Sequence, residues 1–336
     1  MGSFVISIDA ELAWGFHDVS DPPMERIEAG RDGWLTLLDI FDEHDVPATW
    51  GVVGHLMLED CDGVHADLGP IDGWFDSERK QWRDRPDLRF GPDLVRGILE
   101  SDIDHEIACH TFSHVLFDDP RVTDRVVRGE LEAAAAAARR FDVTYDSLIF
   151  PRNAVGYREL LGDFGFTCYR SRRPRPSGAP GRAVEKLLAI ADPDRLHLVT
   201  PTVDEYGLVD VPPSLYLFGF EGWARTAAEA IGEDPIVRQA KRGIDRASRT
   251  AGVFHVWLHP NDIVTERDAR RVERIVEYAA RKREITPLSI ETMATVADRV
   301  RWQARRDEPS RQLTSRRETR SPRLSSHGRT GLGRRD

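Results

Sequence analysis

The sequence predicts an α/β fold, a parallel sheet with helices outside that is either open or closed into a barrel. Two observations predict it, and a third narrows what it does. Short apolar runs alternate with longer segments of helical spacing along most of the chain. Charged and imidazole side chains recur at the C-terminal ends of successive strand-like runs, the edge where parallel sheets assemble active sites. No Gly-x-Gly-x-x-Gly or phosphate loop follows any run, which weakens dinucleotide binding and nucleotide hydrolysis as readings.

Residues 3–9 form the first strand-like run and end in Asp9-Ala10-Glu11. Trp34, Leu37, Leu38 and Phe41 then stand at helical spacing over 31–44, and 46–53 is a second strand. Residues 54–92 break the rhythm with Asp, Gly and Pro and read as a long insertion. Its aromatics Trp74, Phe75 and Trp82 fit a small core of the loop's own better than sugar-stacking platforms. A helix near 93–101 leads to a strand at 105–109 and then to His110-Thr111-Phe112-Ser113-His114. Six consecutive alanines lie in a helix over 121–141, and a strand at 146–150 ends in Phe150-Pro151-Arg152-Asn153. A helix from about Tyr157, a strand near 166–170, a Pro- and Arg-rich loop over 171–181 and a strand at 208–212 follow. Residues 224–250 are expected to be helical. A buried strand at 253–258 ends at His259-Pro260, and a helix over 265–283, a strand at 285–288 and a helix over 290–302 complete the domain, 1–302.

The remainder, 303–336, is rich in Arg, Ser, Thr, Gly and Pro and is expected to be a basic disordered tail. The net charge of −10 hides this: residues 301–336 carry eleven Arg against four acids, leaving −17 on residues 1–300. So acidic a body argues against nucleic acid as the main partner. Three scattered cysteines, Cys61, Cys109 and Cys168, argue against a disulfide framework. No stretch has the apolar length of a membrane span, and the N-terminus lacks the positive region of a secretory signal. The expectation is a cytoplasmic protein. Oligomeric state is not legible.

The strand-end residues fit metal-assisted hydrolysis. His110 and His114, four apart beyond a strand, supply half of a divalent-metal site, and Glu11 is the candidate third ligand. An imidazole-rich set suits Zn2+. Such an ion polarises a carbonyl and acidifies water. Asp9 is the candidate general base, with Arg152 orienting it and holding it ionised. His259 at the strand mouth is the candidate general acid. His255, deeper on the same strand face, is expected to support its neighbours. Trp14, Trp257 and His255 are the candidate substrate-binding residues.

Ser7-Ile8-Asp9-Ala10-Glu11, His110-Thr111-Phe112-Ser113-His114, Phe150-Pro151-Arg152-Asn153 and Trp257-Leu258-His259 occur in the order of the NodB-like polysaccharide deacetylases. The resemblance covers roughly residues 3–300. It implies a distorted (β/α) barrel with fewer than eight regular repeats. It also implies a divalent metal and removal of acetyl groups from N-acetylated sugars or polysaccharide precursors. Asp9 aligns with the family's base, His110 and His114 with its metal ligands and His259 with its acid. The sequence departs twice. Ala10 replaces the second Asp of the usual pair, which passes the ligand role to Glu11, and the arginine motif reads Pro-Arg-Asn. The superfamily's metal-free allantoinase-like amidases are the enzymatic alternative. A barrel that binds carbohydrate without turnover is the non-enzymatic one.

Overall fold

The computed structural model describes residues 2–318 apart from 64, 66–67, 69–70, 72, 77–79, 81, 173–197, 223–224, 227–228 and 230–231, with side chains described to residue 306. Strand β1 (Gly2–Ala10) is the axis of the sheet, and all nine of its residues are buried. It pairs in parallel with β2 (Thr49–Val52) on one side and β9 (Gly252–Leu258) on the other. Beyond β2 come β3 (Glu106–Cys109), β4 (Ser147–Ile149), β5 (Cys168–Arg170) and β7 (Val209–Asp210), all parallel, with β6 (Thr202–Val203) antiparallel at the edge. Beyond β9 lies β8 (Leu215–Tyr216), and β10 (Ser289–Ile290) pairs with the start of β1. The expected alternation of strands and helices is present.

The sheet rolls strongly. In a flat sheet β5 would lie roughly 19 Å from β1, four strand spacings away. Yet Arg170 on β5 holds the carboxylate of Asp9 on β1 in two hydrogen bonds of 2.7 and 2.6 Å. Alternation then decides what faces inward. At the N-terminal end, Val5, Ala108, Ile149, Cys168, Val209 and Val253 form an inner apolar cluster with Met293, Val296 and Ala297 of the last helix, Met293–Glu318. That helix closes this end, its first amides bonded to Thr49 Oγ1 and Glu106 Oε2 at 2.9 and 3.0 Å. Chemistry is left to the opposite end. The larger core lies between the sheet and the outer helices α1 (Met24–Glu43), α2 (Pro92–Glu100), α3 (Asp124–Ala138), α4 (Pro235–Ala247) and α5 (Glu266–Ile285).

Three expectations change. The helix expected over 224–250 is interrupted at 232–234, where the described residues are not helical, and resumes as a regular helix over Pro235–Ala247. Asp234 caps it by accepting from the Ile236 amide at 2.8 Å, and Pro235 occupies its first turn. The strand expected at 285–288 is instead the short β10, because α5 runs on to Ile285. The helix expected over 290–302 starts at Met293 and is longer, continuing through the helix-forming Gln303-Ala304-Arg305-Arg306 to Glu318. The rest of the expected tail, 319–336, and most of the loop expected at 171–181 lie outside the described residues. Among the described residues no helix is long and apolar enough to cross a membrane.

Candidate metal and catalytic site

Glu11 leaves the end of β1 and enters a 3-10 turn, Leu12–Phe16. Its carboxylate is folded so tightly over that turn that a Cβ on Gly15 would lie 2.0 Å from Glu11 Oε1. The loop after β3 is wound just as tightly. Thr111 and His114 both adopt positive φ, 57° and 62°, conformations costly for residues with a Cβ. What holds them is Glu130 on α3, fully buried. Its carboxylate accepts from the Phe112 and Ser113 amides at 3.0 and 2.8 Å and from Ser113 Oγ at 2.5 Å.

The result is a convergence of three ligand-type side chains. Glu11 Oε2 lies 2.9 Å from His114 Nε2 and 3.4 Å from His110 Nε2, and the three donor atoms all lie within 4.8 Å of one another. His110 Nδ1 donates to the Ile149 carbonyl at 2.7 Å, which turns its Nε2 lone pair toward the cluster. Burial would raise the Glu11 carboxyl, but the imidazoles of His114, His259 and His110 hold it well below the usual range. Burial depresses His114, with Glu11 opposing. A divalent cation fits this donor set. His114 is almost fully buried, yet neither ring nitrogen meets hydrogen-bond geometry with any described group, which is costly unless something else accepts the lone pair.

Asp9 sits beside the cluster. Burial would raise its carboxyl, but Arg170 foremost, then His110 and His259, draw it below its ordinary value. Arg170, wholly buried, also donates to Ser7 Oγ at 3.0 Å, and its guanidinium lies 4.7 Å from the Trp257 ring centre. Ser7 Oγ is 2.8 Å from His255 Nε2, whose Nδ1 reaches the Val211 carbonyl at 3.1 Å. His259 stands 4.0 Å from Asp9 and 3.8 Å from Glu11, while its Nδ1 donates to Asp262 at 3.0 Å. Burial disfavours the charged imidazole, but Asp262 first, then Glu11 and Asp9, push it up to about 9. Tyr216 and Arg26 bond Asp262 in turn.

Seven of the nine expected residues gather here: Asp9, Glu11, His110, His114, His255, Trp257 and His259. Two do not take their expected places. Arg152 does not orient Asp9. The turn at Pro151–Asn153 puts Arg152 at φ 51° and sends its guanidinium to Asp18, at 2.5 and 2.9 Å, and to the Gly15 carbonyl at 3.1 Å. Arg170 does that work. Trp14 is no substrate platform, because it is buried with its indole N–H on the Arg89 carbonyl at 3.1 Å. Trp74 and Trp82 are likewise buried, not in a core of the loop's own as expected but against the body, Trp74 in the main core and Trp82 with Ala13, Ile27 and Leu88. Of the expected substrate residues, His255 is wholly interior, and Trp257 alone keeps partial exposure, packed against Tyr216 with ring centres 4.4 Å apart.

His255 has a consequence for stability. Burial, followed by the Arg170 charge, draws its imidazole down to about 3. The unfolded chain takes up that proton near 6.5 and the folded chain refuses it. Stability should therefore be full above about pH 6.5 and fall by up to about 1.4 kcal/mol per pH unit below it. Urea titrations at pH 7 and 5 check this, since His255→Gln should lose less stability between the two pH values than the parent. Equal losses would refute it.

A rolled parallel sheet with carboxylates and imidazoles converging at its C-terminal strand ends has the parts that metal-assisted chemistry uses. The family model described as polysaccharide deacetylase matches residues 22–151, a span that contains His110 and His114 but not Asp9, Glu11 or His259. Among solved structures, a Mycobacterium smegmatis protein assigned to the polysaccharide deacetylases aligns at TM-score 0.58 and 16% identity, covering 98% of this chain and 94% of that one. One so assigned from Pseudomonas aeruginosa PAO1 aligns at TM-score 0.54 and 14% identity, covering 90% of each chain. The PuuE allantoinase aligns at TM-score 0.53 and 15% identity over 90% of this chain and 89% of that one. No curated protein sequence matches the chain. Residues 22–151 are thus similar to that family, and the chain as a whole shares the fold of these solved structures.

Proposed function

We propose that the chain hydrolyses the acetamido group of an N-acetylated sugar or polysaccharide precursor, with a divalent ion of the Zn2+ type held by Glu11, His110 and His114. The observation that carries this reading is the convergence of that ligand set beside an ionised Asp9 and a cationic His259. When bound, the ion supplies Lewis acidity for the carbonyl and for water. Asp9 accepts the proton of the attacking water. Arg170 fixes the direction of the Asp9 lone pairs and keeps the carboxylate charged, at some cost in basicity. His259, protonated at neutral pH through Asp262, donates its proton to the leaving nitrogen. Trp257 lines the mouth beside them. The domain extends to about residue 302, and the cytoplasm is its proposed compartment, which favours a soluble or lipid-linked substrate over finished wall polymer.

The likeness to an allantoinase keeps a metal-free amidase as the second reading. Elemental analysis of purified protein, combined with acetate release from N-acetylhexosamine oligomers and nucleotide sugars, tests both. Acetate release that is lost on chelation and regained with Zn2+ supports the deacetylase. Full activity after exhaustive chelation overturns it in favour of the amidase, and sugar binding with no acetate release would leave a binding barrel.

The roles of the two carboxylates are separable. Glu11→Ala should weaken metal affinity far more than Asp9→Asn, which should keep the metal and lose about a hundred- to ten-thousand-fold in rate. Metal content by equilibrium dialysis and acetate release on the same samples decide it. Equal loss of metal in both variants would exchange the assignments.

A further inference from the structure

A second group of ligand-type side chains stands behind the His110–His114 loop and takes no part in the chemistry above. His55 lies in the 3-10 turn Gly54–Met57 that follows β2 and is fully buried. Cys61 and His65, half-buried, lie farther along the same insertion. The thiol and one nitrogen of each imidazole come within 4.8 Å of one another. We propose that His55, Cys61 and His65 form a second metal site, separate from Glu11, His110 and His114, that takes a borderline divalent cation of the Zn2+ type and staples the first part of the insertion onto the turn that follows β2.

Donor chemistry and geometry both support this. Two imidazoles and a thiolate are ligands that zinc shares between its structural and catalytic sites. Cys61 Sγ lies 3.6 Å from His65 Nε2. Zinc bonds of about 2.3 Å to sulfur and about 2.0–2.1 Å to nitrogen, at a tetrahedral angle, require an S···N edge of roughly 3.5 Å. The Gly63 amide donates to Cys61 Sγ at 3.3 Å, an added partner for a sulfur that carries negative charge. Cys109 and Cys168, by contrast, are buried.

The rings are held in place. His55 stacks on Phe90 at 5.4 Å and 19°, and lies 5.2 Å from Phe112 and 4.2 Å from Trp14. His65 stacks on Phe75 at 4.0 Å. The His55 amide also donates to the Phe112 carbonyl at 2.9 Å, in the loop that carries His110 and His114. An ion here would link the first residues of the insertion to the back of the catalytic loop. Such a cross-link would add to the apolar contacts that Leu68, Ile71, Trp74 and Trp82 already make with the body.

The test uses the full chain, stripped with chelator and reloaded with Zn2+ or Co2+. Wild type should bind two ions per chain, and Cys61→Ser and His65→Ala one each. The Co2+ protein should show a thiolate-to-metal charge-transfer band that persists in the His110→Ala/His114→Ala double variant and vanishes in Cys61→Ser. Limited proteolysis within 54–92 should quicken in Cys61→Ser, with acetate release little changed. A wild-type Co2+ protein without the band, or a band that survives in Cys61→Ser, overturns the proposal. One ion per wild-type chain with the band present would uphold this site and count against the first, so the two readings fail separately.

Discussion

Arg170→Leu should destabilise the fold by about 3–5 kcal/mol, the usual cost of leaving one member of a buried ion pair without its partner. Asp9 is 2% exposed and Arg170 fully buried, so neither charge has water to fall back on. Ser7 Oγ and His255 would lose their anchor as well. Molecules that still fold should release acetate at least a hundred-fold more slowly, because the Asp9 carboxylate is no longer aimed. Arg152→Ala is the control. Its pair with Asp18 is part-exposed on both sides and should be worth no more than about 1 kcal/mol. Denaturant titrations and acetate release on both variants decide the matter. If Arg152→Ala proves the more damaging for activity, Arg152 rather than Arg170 serves the reaction.

His259→Ala should slow acetate release by about a hundred- to ten-thousand-fold with the fold intact, the usual range for loss of a general acid. The sign of the pH dependence follows from the raised imidazole. His259 must carry its proton to act, so the rate should fall as pH rises through about 9, where Asp262, Glu11 and Asp9 have pushed its titration. His259→Ala should erase that alkaline limb. Asp262→Asn should move it to lower pH, because the largest attractive charge is gone. His255 cannot substitute, since it is neutral until about pH 3 and lies beneath the mouth. An alkaline limb that survived in His259→Ala but vanished in His255→Gln would reverse the two histidines.

Much of this was legible in one dimension. Alternation on β1 and β9 assigns Asp9 and His259 to a common face, and strand direction sends both to the open end. The His110/His114 pair needs only its spacing and the strand before it. What failed was the choice between two arginines. Arg152 sits in the motif-like Pro-Arg-Asn and Arg170 at the end of a three-residue strand, and sequence adjacency cannot reveal which one a rolled sheet carries across to β1. The available signal was a charge at the inward end of a strand whose two-residue alternate, Cys168, is apolar and buried. Glu130 was hidden by the alanine run that follows it. Yet it falls three and four residues after Val127 and Val126, on the stripe that α3 buries, where a carboxylate needs partners. Asp262 was detectable as well, three residues beyond His259 in capping-box spacing. Gly15 left no signal, because its need to be glycine comes from where the Glu11 side chain goes.

The roll of the sheet also sets a timetable for synthesis. Asp9 meets Arg170 across 161 residues of chain, and Ser7 meets His255 across 248. At ribosomal speeds of about 5–20 residues per second, the apolar β1 and its carboxylate therefore wait on the order of tens of seconds for the strands that cover them. A nascent chain in that interval exposes Phe4-Val5-Ile6 as an unpaired edge, the kind of segment that recruits chaperones or pairs with its like. Its low contact locality makes the protein a slow folder whose yield, more than its final stability, should depend on temperature and on expression rate.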